Sequence, residues 1–305
     1  MKILTVIFGL LLVSCSFATL RENSNPFVHH GAGCVEYPSP EQFDKVWAIS
    51  DVHGQLDSLK TLLIKSRLVD ENGHWQARNE LLVVIGDSID KGPSSREVLD
   101  YWIQLTSEAQ KFNSSLVHLL GNHEAEFLAD PTNPKVNFPL PLTSEQSTFL
   151  RQMPMVLKVG TWIFVHAGKV PVQDTWTEFC SKADSVLSDE QQVISEIYKS
   201  DFFIGSDSPI EAKDWWKNNM IIQGQIRWLK GQQLSGIVFG HQTKAFQVPY
   251  KVARSPDKFF FKIDSGMGEG QTGEMLLFPK PEELNHNEAL QALRLMSNGK
   301  MESIP

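Results

Sequence analysis

Five short apolar runs in this chain end the same way. "VWAIS" runs into Asp51, Val52, His53 and Gly54; "LLVVI" into Gly86, Asp87, Ser88, Ile89, Asp90, Lys91 and Gly92; "SLVHLL" into Gly121, Asn122, His123 and Glu124; "TWIFV" into His166, Ala167 and Gly168; "GIVF" into Gly240 and His241. Short runs rich in valine, isoleucine, leucine and aromatic residues read as buried strands. Each stops at a carboxylate, imidazole or amide close to a glycine. Between the first three runs, "QLDSLKTLLIKSRLV" and "REVLDYWIQLTSEAQKF" carry apolar residues at helical spacing. Strands alternating with helices make βαβ units and a parallel sheet, and such sheets gather their ligand-binding groups at the carboxyl ends of the strands. The pattern predicts an α/β fold in which Asp51, His53, Asp87, Asp90, Asn122, His123, His166 and His241 share one edge.

Each residue alone has a blander reading: Asp51 as a helix cap, Asn122 as the N-cap of "HEAEFLA", His166 as a hydrogen-bonded core histidine. Five strand ends of one kind outweigh these separate readings. Carboxylate and imidazole ligands suit Mn, Fe or Zn, and two such ions about 3.5–4 Å apart can share a carboxylate and activate a water between them. Asp87 is the natural shared ligand. Asn122 adds coordination without adding negative charge to a site that must accept an anion.

With 305 residues, 41% of them apolar, the chain has room for one large α/β domain or two small ones. Its formal charge of −8 gives no general attraction for a phosphate backbone, so nucleic acid is not an expected partner. Lys2 precedes the apolar stretch "ILTVIFGLLLV", too short to span a bilayer, and residues 1–18 read as an export signal with "SFA" before Thr19 as a cleavage site. "LVSC" offers a second ending, a lipoprotein signal that stops before Cys15. A lipid on Cys15 is the expected route to a membrane, and either ending predicts a periplasmic or membrane-anchored bacterial protein. Residues 19–44 read as a tether or surface arm, with His29 and His30 as solvated loop histidines. Cys34 and Cys180 remain as an even pair of candidates for a disulfide in an oxidising compartment.

The motifs D-x-H-G, G-D-x-x-D-x-G, G-N-H-E, V-H-x-G and G-H, in that order, resemble the calcineurin-like metallophosphoesterase superfamily. Within it the chain is most similar to the phosphoprotein phosphatase group and its Shewanella-like bacterial branch, over roughly residues 45–268. The resemblance implies a four-layer sandwich, two β-sheets face to face with helices outside, over a domain at 45–280. "DEQQVISEIYKS" and "PIEAKDWWKNN" read as helices of an insertion at about 171–232 that caps the metals, with Trp215 and Trp216 packed in it or stacking on substrate. "PEELNHNEALQALRLM" reads as an amphipathic closing helix of a 281–305 tail.

Carried over residue by residue, the resemblance makes Asp51, His53 and Asp87 ligands of a first metal, with Asp87 bridging, and Asn122, His166 and His241 ligands of a second. The cofactor is then two divalent or mixed-valence ions, Mn, Fe or Zn. His123 looks like the general acid, with Asp90 on its other ring nitrogen, and Glu124 like a supporting group rather than a ligand. Asp264 and Gly266 in "KFFFKIDSGMG" resemble the D-[ST]-G element of the family. Where many relatives carry a second histidine after G-H, this chain has Thr243, which favours the phosphatase pattern over phosphodiesterases and nucleases. Where the family has D-R-G, this chain has Lys91, a point charge in place of a bidentate fork, which puts substrate orientation in doubt. A second phosphate-binding residue is expected at Lys230, two residues after Trp228, or at Arg227. The expected activity is hydrolysis of phosphomonoesters, in phosphorylated proteins, peptides or small molecules, by in-line attack of metal-bound hydroxide. Hydrolysis of dinucleoside polyphosphates is the alternative; a metal-dependent binding protein with weakened catalysis is another.

Overall fold

The computed structural model describes residues 33–132, 137–188, 203–285 and 290–304. The signal segment, His29, His30 and "DEQQVISEIYKS" lie outside these. One sheet holds β2 (Lys45–Ile49), β3 (Glu80–Ile85), β4 (Ser115–Leu119), β10 (Glu274–Phe278), β11 (Leu293–Met296) and β12 (Met301–Ser303), in the order β12-β11-β10-β2-β3-β4. The other holds β1 (Cys34–Tyr37), β5 (Val156–Val159), β6 (Trp162–Val165), β7 (Gly236–Phe239), β8 (Ala253–Arg254) and β9 (Phe260–Lys262), in the order β1-β5-β6-β7-β9-β8. β2, β3 and β4 pair in parallel, as do β6, β7 and β9, so each sheet sends the carboxyl ends of three neighbouring strands the same way.

The two-residue period of these strands builds the layers. In β3, Leu81, Val83 and Ile85 face the other sheet, where Leu157, Val159, Phe164, Val238 and Phe261 meet them, while Leu82 and Val84 point outward. The outward face is covered by α1 (Leu56–Ser66) and α2 (Ser95–Gln110), through Leu59, Leu62, Leu63, Val98, Trp102 and Leu105. On the second sheet Ile163, Val165, Ile237, Phe239 and Phe260 face away from the first. There they meet α5 (Trp176–Ser188) and α6 (Asn219–Gly231) through Phe179, Ala183, Ile226, Trp228 and Leu229. Helix, sheet, sheet and helix form the four-layer metallophosphoesterase sandwich expected. The described helices of 171–232 thus cover a sheet face. α3 (Asn122–Ala129) and α4 (Ser144–Arg151) complete the helices among the described residues.

Three readings need correction. Among the described residues the closing helix is absent: 281–285 is one 3₁₀ turn, and Leu293–Met296 and Met301–Ser303 form a hairpin on the edge of the first sheet. Alternation wins over the helical period there, since Leu295 is buried while Arg294 pairs across the hairpin with Glu302, and Asn298-Gly299 makes the tight turn with Gly299 at φ 83. The arm is not all arm, because Cys34–Tyr37 pairs in parallel with Val156–Val159 and Cys34 is bonded to Cys180 of α5. "PIEAKDWWKNN" is a single 3₁₀ turn at Trp215–Lys217 rather than a helix, since Asp214 at φ 57 breaks the chain direction just before it. Trp215 is buried there, its Nε1 donating to the Ala167 carbonyl at 2.9 Å.

Candidate metal centre

The loops that leave β2, β3 and β7 share an unusual backbone. Asp51, His53, Asp87, Asp90, Lys91 and His241 all lie at positive φ, between 46 and 70°, a region that non-glycine residues enter seldom and at a cost of about 1–2 kcal/mol each. Cross-links between the loops offset this. Asp51 N donates to Gly86 O (3.1 Å), His53 N to Asp87 O (2.9 Å), Gly54 N to Ser88 O (2.8 Å) and Gly92 N to His53 O (2.9 Å). His241 N donates to Asp51 Oδ2 at 2.9 Å and ties in the third loop. Glu124, fully buried at the start of α3, accepts from the backbone N–H groups of Asp87 (2.8 Å), Ser88 (2.7 Å), Gly121 (3.1 Å) and Ile89 (3.3 Å). It supports the ligand loop from beneath. Packing is tight enough that a Cβ at Gly240 would collide with Ser50 Oγ and Asp51 Oδ2.

Asp87 stands at the centre. Its Oδ2 lies 3.5 Å from His53 Nε2 and 3.8 Å from His123 Nε2, its Oδ1 3.3 Å from His166 Nε2. Two groups of possible ligands meet on it, His53 with His123 and His166 with His241. Asp51 Oδ1 is 3.9 Å from His53 Nε2, and Asn122 Oδ1 3.2 Å from His166 Nε2. His53 donates its Nδ1–H to Ile89 O (3.0 Å) and His166 to Ile85 O (2.7 Å), which turns both Nε2 atoms inward.

Electrostatics mark the same spot. Burial, with Asp87 alongside, pushes Asp51 up to about 6. Burial holds His53 down at about 4 and His241 at about 3, with help from Lys91 and His166 respectively. For His166 burial is outweighed by Asp87 and Asp51, which lift it to about 10; for Asp87 burial is outweighed by His166, and its carboxyl stays well below the usual range. These residues fit a pair of cations. The Nε2 atom of His241 is buried with no hydrogen-bond partner, a deficit of about 1–3 kcal/mol that a ligand bond would relieve. The inward lone pair of His53 already accepts a positive group, the Lys91 ammonium at 2.8 Å.

Beside the centre, His123 Nδ1 donates to Asp90 Oδ2 at 2.7 Å. Burial, which raises Asp90, is outweighed by backbone N–H bonds from Asn137 and Lys91 and by His123, so its carboxyl lies below the usual range. A cavity of about 140 Å³ opens over these groups, walled by Lys91, Lys213, Thr243, Asp264 and Glu269 as well as the ligand set. All the residues expected at the strand ends therefore meet, though Asp90, behind His123, and the fully buried His166 do not line the cavity itself. Lys230 and Arg227 do not reach it. The phase of α6 buries Gln225, Ile226, Trp228 and Leu229 and turns both cations to solvent, where Lys230 sits 5.4 Å over the Phe259 ring. Lys213, overlooked in the sequence, is in the wall instead; it is placed there by the contact of Trp215 with Ala167, for which the sequence carries no local signal. Glu269 was likewise overlooked.

The profile of the calcineurin-like phosphoesterase family matches residues 44–245. The chain belongs to that family. Members use a dinuclear divalent metal centre, and the two groups that share Asp87 are residues that could hold one. Among curated relatives, Shewanella-like protein phosphatase 1 of Plasmodium berghei (strain Anka) is 35% identical over 141 residues, 41% of this chain and 39% of that protein. A symmetrical bis(5'-nucleosyl)-tetraphosphatase of Hamiltonella defensa is 32% identical over 145 residues, 43% of this chain and 46% of that one. The matches thus span less than half the length of either relative. The crystal structure of a cold-active protein-tyrosine phosphatase from a psychrophilic Shewanella shares the fold, with a TM-score of 0.73 over 92% of this chain and 84% of that one at 21% identity.

Proposed function

We propose that this calcineurin-like phosphoesterase is a two-metal phosphomonoester hydrolase whose substrates are phosphoserine, phosphothreonine or phosphotyrosine residues of proteins or peptides. The observation that carries this reading is the cavity. At about 140 Å³ it suits a phosphoryl group and its nearest attachments, whereas sites for larger small molecules run to about 300–1,000 Å³. Its lining is polar, charged or glycine, with no Phe, Tyr or Trp face for a nucleobase among the described residues. Asp51, His53 and Asp87 would hold one ion, and Asp87, Asn122, His166 and His241 the other. When bound, the ions supply positive charge for the phosphoryl oxygens and lower the pKa of a water.

The chain's own groups do the rest. Lys91 and Lys213, both in the cavity wall, neutralise the phosphoryl oxygens as point charges. His123, its Nδ1–H held by Asp90, presents Nε2 to the cavity and donates a proton to the leaving alkoxide as the P–O bond breaks. Export is part of the proposal: a Cys34–Cys180 bond and the opening residues support it, since disulfides persist in oxidising compartments.

The second reading, dinucleoside polyphosphate hydrolysis, is favoured by the Hamiltonella relative. A panel of phosphopeptides, an aryl phosphate and diadenosine tetraphosphate, assayed with Mn, Fe and Zn, separates the two. Phosphopeptides should give the highest kcat/KM; faster turnover of the tetraphosphate would overturn the phosphatase reading.

A further inference from the structure

Of the carboxylates in the cavity wall, Asp51, Asp87 and Asp264 are buried and Glu269 is exposed. A carboxylate at the entrance of a cavity that must admit a phosphate dianion repels it, and the repulsion is offset only if the same carboxylate meets a cation that arrives with the substrate. Glu269 is also fixed in place. It closes the 3₁₀ turn Met267–Glu269, whose Gly268 passes so near the His53 ring that a Cβ there would collide with it. Thr243 Oγ1 donates to Glu269 Oε1 at 3.1 Å and Tyr250 OH donates to Oε2 at 2.9 Å. Both donors are neutral and leave the charge in place, and a carboxylate has about four lone-pair sites, so each oxygen retains room for one more donor. A carboxylate oriented by two hydroxyls, with a free position on each oxygen, is prepared for a guanidinium fork or an ammonium.

We propose that Glu269 selects substrates that carry lysine or arginine next to the phosphorylated residue. This rests on the phosphomonoester reading above and names the substrate class within it. The formal charge of −8 acts in the same direction, drawing basic peptides toward the chain and repelling polyanions such as dinucleoside polyphosphates.

Two phosphoserine peptides that differ only in having arginine or glutamate beside the phosphoserine test it, with kcat/KM measured for the wild type, Glu269→Gln and Glu269→Lys. The wild type should prefer the arginine peptide by about threefold to tenfold, since attraction of the arginine and repulsion of the glutamate add at an exposed, oriented carboxylate. Glu269→Gln should bring the ratio to about two or less, and Glu269→Lys should invert it. A wild-type ratio near one overturns the inference. So does an equal loss on both peptides in both variants with the ratio preserved, which would make Glu269 a prop for the Thr243 and Tyr250 loop. Wild-type turnover of diadenosine tetraphosphate with neither peptide hydrolysed would overturn the phosphomonoester reading itself, whereas failure of the ratio alone leaves that reading standing.

Discussion

Replacing Glu124 by glutamine changes one oxygen to an NH₂ group and almost nothing in volume, so its effect isolates the hydrogen bonds of the ligand loop. Oε1 accepts from Ser88 N and Ile89 N, and Oε2 from Asp87 N and Gly121 N. The amide retains one accepting oxygen, so two buried N–H groups face an NH₂ that is itself a donor. At about 1–3 kcal/mol for each of the two unsatisfied buried groups, the gross loss is about 2–6 kcal/mol. Some of this is returned, because burial and then the Asp87 charge already push the Glu124 carboxyl upward, and the neutral amide escapes both. The net expectation for Glu124→Gln is a loss of about 2–4 kcal/mol, read as a urea midpoint lowered by about 1 M at unchanged slope. The loosened Asp87 backbone should also weaken metal retention, measured by elemental analysis after dialysis. A stability loss under about 1 kcal/mol, with metal retention intact, would refute the claim that this carboxylate holds the loop.

His118 is buried between Ser88 Oγ (2.8 Å) and Leu119 O (3.1 Å), and burial drops its pKa from 6.5 to about 3. The unfolded chain therefore takes up a proton near pH 6.5 that the fold refuses until about 3, and stability should fall by about 1.4 kcal/mol per pH unit as pH drops through that window; urea midpoints at pH 6.5 and 4.5 should show a shallower loss in His118→Gln. His123→Asn should keep both metals and lower turnover by about 10² to 10⁴-fold, with a smaller loss for nitrophenyl phosphate, whose leaving group needs little protonation; elemental analysis showing a lost ion would make His123 a ligand instead. Cys180→Ser should lower stability by about 2–5 kcal/mol, since the Cys34–Cys180 bond closes a loop of 146 residues; alkylation of both thiols in native, unreduced protein would count against the bond.

The five strand ends were legible because two periods coincide there: alternation marks the strand, and the first polar residues past it can only lie at the sheet's edge. The central place of Asp87, Asp90 against His123 and Glu124 beneath the loop followed from motif order. What sequence did not supply were contacts set by distant chain segments. Lys213 reaches the cavity because Trp215 is anchored on Ala167, 48 residues upstream, and nothing local distinguishes it from Lys230. The closing hairpin was misread because Leu290, Leu293 and Met296 fall at helical spacing while Leu293 and Leu295 alternate over the same short run, and only the Asn298-Gly299 turn decides between them.

The left-handed residues explain why the site shows as a sequence motif at all. Asp, His and Lys at φ between 46 and 70° are held there by bonds between loops rather than by their own preference, so each works only if its neighbours in the other loops are present. Gly54, Gly86 and Gly92 serve the same turns, and Gly92 N closes on His53 O from 39 residues away. A side chain in such a conformation leaves the strand direction, which is how His53 comes to lie 3.5 Å from Asp87 Oδ2, while His123 at the start of α3 and His166 at the end of β6 reach within 4 Å of the same carboxylate from ordinary backbone. The strain is concentrated where the carboxylates and imidazoles crowd, and the fold offsets it with buried hydrogen bonds instead of apolar packing. That is why the motif reads as charge at the end of a buried strand: the same residues that destabilise the loop locally are those the site needs, and the sandwich beneath supplies the stability that lets them stay.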